Sequence, residues 1–190
     1  MAARPPRAFG SDLKRGLTVG SVSFLIAWFV TLPSQRAMRG LPLLLSFVLL
    51  LLIVVAGVLA DAVGLATAAA SEAPFHAMAT KRIAGARQAI QLIRNADKVT
   101  SIANDVIGDL AGTISGSAAT AIAIRLFAQE SSLEAGLLVA LAASLTVGGK
   151  ATMKGVALGH ANEIVFLLAR ALAWVERSFH VTLLPDRRGR

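Results

Sequence analysis

The sequence predicts an all-α, polytopic membrane protein with about four transmembrane helices and amphipathic juxtamembrane helices. Three observations carry that expectation. Hydrophobic residues make up 55% of the 190-residue chain against 16% charged, and mean hydropathy is +0.67, well above an ordinary soluble domain. The apolar runs have helix length and lack barrel alternation, and open strands cannot satisfy their backbone groups in lipid. Basic residues cluster just outside those runs, as on cytoplasmic flanks facing anionic lipid head groups. The net charge of +8 is therefore read as membrane contact, and no nucleic-acid partner is expected.

The first span, Leu17 to Leu32 (LTVGSVSFLIAWFVTL), is short against the roughly 20 residues a bilayer asks for. It follows Arg4, Arg7, Lys14 and Arg15, so a signal peptide is the rival reading. The following PSQRAMRG lacks a small-x-small cleavage site and another apolar run comes at once, which favours a retained helix. The second span opens at Leu41 with LPLLLSFVLLLLIVVAGVLA, where Pro42 is tolerated in the first turn. Beyond Ala60 the chain stays apolar but carries Asp61 and Glu72, so it tilts, breaks or emerges as helix.

After Pro74, apolar Phe75, Met78, Ile83, Ala86, Ile90 and Ile93 recur at roughly helical spacing among Lys81, Arg82, Arg87, Arg94 and Lys98. One amphipathic surface helix is expected there. The third span is Thr100 to Ile124, followed by the acidic connection AQESSLE. The fourth runs from Leu133 to Val147 and ends at Gly148, Gly149 and Lys150. In the last segment Glu163, Arg170 and Arg177 share one face and Ile164, Leu167, Leu168, Ala171 and Leu172 another. With Trp174 suited to an interface, that helix is expected to lie on the membrane.

Lys and Arg set the orientation. The Lys81–Lys98 connector and the DRRGR tail are basic and AQESSLE is acidic, which places both termini in the cytoplasm and four crossings in a cell membrane. Arg36 and Arg39, on the expected outer side, dissent. If the first segment is cleaved or re-entrant, three crossings remain. The parts are a basic N-terminus with an extra helix (1–40), a main transmembrane domain (41–178) and a basic tail (179–190).

Within the third span, Asn104, Asp105 and Asp109 interrupt an apolar, glycine-rich stretch. Such groups are costly in lipid and face a partner, a cavity or an ion. Asp105 and Asp109 are four residues apart, so a helix turns both carboxylates to one side. Two readings stay open: an ion site, or a structural cluster with Lys150, Arg125 or Lys98. Gly112 and Gly116 form a small-xxx-small pair whose plainer role is close helix packing. His76, His160 and His180 lack metal-binding spacing, and there is no cysteine, hence no thiolate chemistry. No nucleophile elbow, phosphate-binding loop or H-E-x-x-H is present, so an enzyme is not expected.

The order of these features resembles the transmembrane domain of the CNNM/CorB/CorC magnesium- and cobalt-transport family, over roughly Leu41 to Arg177. AAASEAPF (Ala68 to Phe75) is similar to that family's S-x-S-E element, with Ala69 in place of the first serine. AGARQAIQLIRNADKV resembles its connector, and VIGDLAG (Val106 to Gly112) its I-G-N cation-ligand element, with Asp109 for asparagine. TVGGKATMKG stands where the family has F-G-E-I-x-P-K, keeping Lys150 but not the carboxylate. The CBS pair and C-terminal domain are not expected.

The resemblance implies divalent-cation transport, of Mg²⁺ or Co²⁺ with other divalent ions open, or the membrane half of such a transporter. It implies a homodimer too, for which the stripe from Gly108 to Ala123 offers a surface. A separate cytoplasmic regulatory subunit is left open. Asp109, Asp105, Asn104, Ser71 and Glu72 carry the oxygen donors that a hard cation prefers, with Asp61 and Ser115 of the right type as well. The alternative is a non-transporting scaffold or subunit that keeps the fold around a structural polar cluster.

Overall fold

The computed structural model describes residues 9–127 and 132–179. Arg4, Arg7, Glu130, His180 and the DRRGR tail, and with them nearly all of the basic tail segment, lie outside the described residues. Every regular element among those described is helical: α1 (Phe9–Gly40), α2 (Leu43–Ala69), α3 (Ala73–Thr80), α4 (Ala86–Arg94), α5 (Ala96–Thr100), a π-helical stretch (Ser101–Gly108), α6 (Asp109–Phe127), α7 (Leu133–Gly159) and α8 (Ala161–Phe179).

Four helices are long and apolar enough to cross a membrane: Gly16–Ser34, Leu43–Ala69, Ala96–Phe127 and Leu133–Gly159. Their packing is inverted relative to a water-soluble bundle. On α2 the buried positions are mostly small, among them Ser46, Gly57, Ala62, Gly64, Ala66 and Thr67, while Leu44, Leu51, Leu52 and Leu59 are exposed. On α7 the buried residues are Ala135, Ala142, Thr146 and Ala157, and Leu133, Leu137, Leu141 and Leu145 form an exposed stripe. Small residues inside let backbones approach closely, and large apolar ones outside suit hydrocarbon, which supplies no hydrophobic force between helices.

Helices α2, α6 and α7 pack mutually around Leu50, Val54, Val58, Ala118, Ala119, Ile122 and Ala142; α1 lies along α6. At one end, the Arg125 guanidinium donates to the Leu41 carbonyl at 2.8 Å. At the opposite end, α4 and α8 close over the bundle. There Phe75, Ala89 and Leu92 meet Ala66, Ala157, Val165 and Ala169.

Two expected boundaries change, at Gly148 and Gly149 and within the connector. The first apolar stretch, expected at Leu17 to Leu32, is matched by the candidate span Gly16–Ser34, which lies within a longer helix continuing through Pro33 to Gly40. Proline removes one N–H from the ladder, and the neighbouring Ser34 hydroxyl donates to the Val30 carbonyl at 2.6 Å. Past Ala60, α2 does not break but runs on as helix to Ala69, so of the three expected continuations the break is set aside. Gly148 and Gly149 do not end α7, because Gly149 lies where α7 crosses α2, its Cβ position only 2.9 Å from a Val58 methyl.

The connector is three short helices, not one. After α3, the Ile83 N–H donates to the Met78 carbonyl at 3.1 Å and Arg82 N–H to Ala79 at 3.0 Å. This is a Schellman stop, with Arg82 at φ 57° where glycine is usual. Gly85, at φ 93°, then starts α4. A Cβ there would lie 3.1 Å from the Arg170 backbone nitrogen and 3.2 Å from its Cα. Gly85→Ala should therefore cost about 1–2 kcal/mol from the positive φ alone and loosen the α4–α8 contact. Gly155→Ala, with open space around it, should be neutral or stabilising. Melting temperatures in mild detergent compare the two; equal behaviour would contradict the close approach.

Candidate functional site

The polar groups gather where α2, the π-helical stretch and α7 meet. Two reciprocal glycines let them in. Asp61 of α2 rests against Gly108, and a Cβ on Gly108 would overlap its Oδ1. Asn104 rests against Gly64 of α2, where a Cβ would overlap the Asn104 Oδ1 and sit 2.8 Å from its Cγ. Each helix therefore lacks a side chain where the other presents a polar one, and the backbones come close enough for Thr100 to donate to the Gly64 carbonyl at 2.9 Å.

Lys150 of α7 is the centre of the charge cluster. Its Nζ lies 2.8 Å from Asp61 Oδ2 and 4.0 Å from Asp109 Oδ1. The side chains of Lys150 and Asp61 are 27% and 23% exposed, that of Asp109 75%, so the first contact is the tighter and better-sheltered ion pair. A cavity of about 310 Å³ adjoins it, lined by Asp61, Leu65, Asn104, Lys150 and Lys154. Asn104 Oδ1 is buried and has no hydrogen-bond partner among the described residues. A buried carbonyl of that kind is costly until a donor or a cation meets it.

The cluster does not lie at mid-span. Asp61, Asp109 and Lys150 each stand about five helical turns, roughly 27 Å, from the ends of α2, α6 and α7 that meet near Leu41 and Arg125. All three therefore share one level, toward the end that α4 and α8 cover. Nearly a full hydrocarbon thickness of apolar helix separates them from the other end.

The expected donors are dispersed. Asp105 is exposed and accepts from the Ser101 hydroxyl at 2.9 Å. Glu72 is held by Arg94 Nε at 3.1 Å and approached by His76 Nε2 at 3.2 Å. The Ser71 N–H donates to Asn162 Oδ1 at 2.9 Å. Neither Ser71 nor Glu72 lines the cavity; they tie the α2–α3 junction to α8 and α4. The Ser115 hydroxyl bonds within its own helix, to the Gly112 carbonyl at 2.9 Å. Of the cations considered as partners, Lys150 is the one that meets the acids, while Arg125 serves the opposite end. Gly112 and Gly116 face open space, so within this chain close packing falls to Gly57, Gly64, Gly108 and Gly149 instead.

Sequence reasoning undervalued Asp61 and Lys150. The available signal was the lone lysine following Gly148 and Gly149 in an apolar run, and an aspartate some twenty residues into the most hydrophobic helix. Among the described residues no group of three or more His, Asp or Glu side chains is placed to hold a metal ion. What the cavity offers is one carboxylate, Asp61, one amide side chain, Asn104, and two ammonium groups, Lys150 and Lys154, with the exposed Asp109 carboxylate 4.0 Å from Lys150.

Fold and site together define an all-helical bundle, four of whose helices are long and apolar enough to cross a membrane, with an ionic cluster toward one end. No family model matches the chain, and no curated protein or solved structure is significantly similar to it.

Proposed function

We propose that this protein is a multi-pass cell-membrane protein with cytoplasmic termini that carries a divalent cation, Mg²⁺ or Co²⁺, or forms the membrane half of such a carrier. Asp61 and Asp109 supply carboxylates, Asn104 supplies a neutral oxygen, and Lys150 is the tethered positive charge that the ion displaces. The observation that carries this reading is the Asp61–Lys150 pair at a cavity that Asn104 also lines, with the Asn104 Oδ1 buried against Gly64 and unpartnered among the described residues. Mg²⁺ keeps several of its waters and is commonly held by only one or two protein carboxylates beside its other ligands, the donor class that Asp61 and Asp109 supply. Relative to the sequence expectation, Asp61 takes the place given to Ser71 and Glu72.

A second reading has its own support. Lys150 already neutralises Asp61 at 2.8 Å, and a scaffold or subunit that transports nothing needs no more than that. Thermal shift of the purified chain separates the two. Under the carrier reading, Mg²⁺ at about 100 times its dissociation constant stabilises by about 2.7 kcal/mol. Asp61→Asn and Asp109→Leu lose that response, and Asp97→Asn, at an exposed site, keeps it. If Mg²⁺, Mn²⁺ and Co²⁺ all leave the melting curve unmoved, the scaffold reading replaces it.

A further inference from the structure

A second cavity, of about 520 Å³, opens between the α3–α4 turn and α8. Arg82, Arg87 and Arg177 line it, with Gln88 and Glu176 between them. The three arginines are exposed and make no ion pair among the described residues. The Gln88 amide donates to Glu176 Oε2 at 2.8 Å, so the one carboxylate at the wall is tied to α4. Three guanidinium groups against one carboxylate leave a net positive recess, with forked donors suited to phosphate oxygens.

The backbone supports a side-chain purpose at Arg82. Its left-handed φ of 57° closes the Schellman stop, a position glycine fills without steric cost. An arginine there accepts strain and places a guanidinium at the cavity.

The surroundings choose the source of the phosphate. Ile83, in the same wall, is 43% exposed, and α8 exposes Leu167 and Trp174 along a stripe beside its charged face. An exposed isoleucine in the wall of a cationic recess fits the start of an acyl chain below a head group, and Leu167 and Trp174, outside the cavity lining, give α8 further exposed apolar surface. A free phosphate ion uses only the arginines. We propose that this recess binds the phosphodiester head group of an anionic phospholipid and so fixes α4 and α8 against the membrane surface. The proposal stands independently of the cation reading.

The test uses the full chain in a neutral detergent, with dioleoyl phosphatidylglycerol, dioleoyl phosphatidylcholine and inorganic phosphate as separate probes. Bound lipid is counted by native mass spectrometry and phosphate binding by calorimetry. Phosphatidylglycerol should bind and phosphatidylcholine should bind far more weakly. Arg87→Gln with Arg177→Gln should weaken phosphatidylglycerol roughly 25-fold, at about fivefold per arginine. A double variant of equal charge loss elsewhere, Arg36→Gln with Lys98→Gln, should stay near wild type. Arg82→Gly should lower lipid affinity while the melting temperature holds or rises, so that misfolding cannot explain the loss. Equal weakening in both double variants, wild-type affinity in Arg82→Gly, or inorganic phosphate binding as tightly as the lipid would each overturn the proposal.

Discussion

Replacing Lys150 with methionine should cost about 2 kcal/mol of stability in cation-free buffer. Asp61 would then sit against Gly108 without its 2.8 Å counter-charge, leaving Lys154 across the cavity, and an acid with no partner at all costs roughly 2.5–3.5 kcal/mol at the middle of a spanning helix. Partial exposure of the pair and its place toward one end of the bundle reduce that figure. The double variant Asp61→Asn/Lys150→Met should recover most of the loss, because removing both charges removes the mismatch as well as the attraction. The coupling energy is read from the four melting curves. The cation response of the single variant matters more. With the tethered ammonium gone, Mg²⁺ should restore Lys150→Met at lower concentration than it acts on wild type. Lost stability with no Mg²⁺ rescue would mean that Lys150 is a structural partner alone.

Valine at Gly64 or Gly108 should have the larger effect on folding, leaving little folded protein in detergent. Space for a single methyl group is already absent at both positions, where Asn104 and Asp61 occupy it. Either α2 separates from the π-helical stretch, or the polar side chain is expelled from its place beside Lys150. Overpacking alone costs typically about 1–3 kcal/mol, and at Gly108 loss of the Asp61–Lys150 ion pair adds to it. Alanine at the same positions should be milder but still destabilising. At Gly112 and Gly116, which have no neighbour within contact distance, alanine should be neutral or stabilise by up to about 1 kcal/mol each, the helix-propensity gain over glycine. Fluorescence-detected size exclusion and melting temperature score all four sites. Similar losses at Gly112 and Gly64 would contradict the packing described above.

Hydropathy and charge were enough to read four candidate spans, the helical class, the amphipathic character of the connector and the presence of acids in the third span. They were legible because each depends on a run of side chains along a single element: the length of an apolar stretch, a period of 3.6, a lone charge in hydrocarbon. The ends of helices were less so. Gly148 and Gly149 looked like a stop, yet α7 continues to Gly159, because there glycine serves a crossing with Val58 and not a turn. Arg82 looked like one more residue of a helix and is instead its left-handed end.

The composition of the site was decided only in three dimensions. Along the sequence, Asp105 and Asp109 formed the obvious pair, with Ser71 and Glu72 added through family resemblance. In the fold, Glu72 is taken by Arg94 and His76, Asp105 by Ser101, and Asp61 comes within 2.8 Å of Lys150 from about ninety residues away. No local pattern encodes that meeting. It follows from which faces of α2, the π-helical stretch and α7 pack together. Two small details set those faces: the absence of a side chain at Gly64 and at Gly108, and the π turn between Ser101 and Gly108. The sequence determined that ionisable groups would have to be satisfied within an apolar bundle; only the close approach of three helices determined which of them satisfy one another.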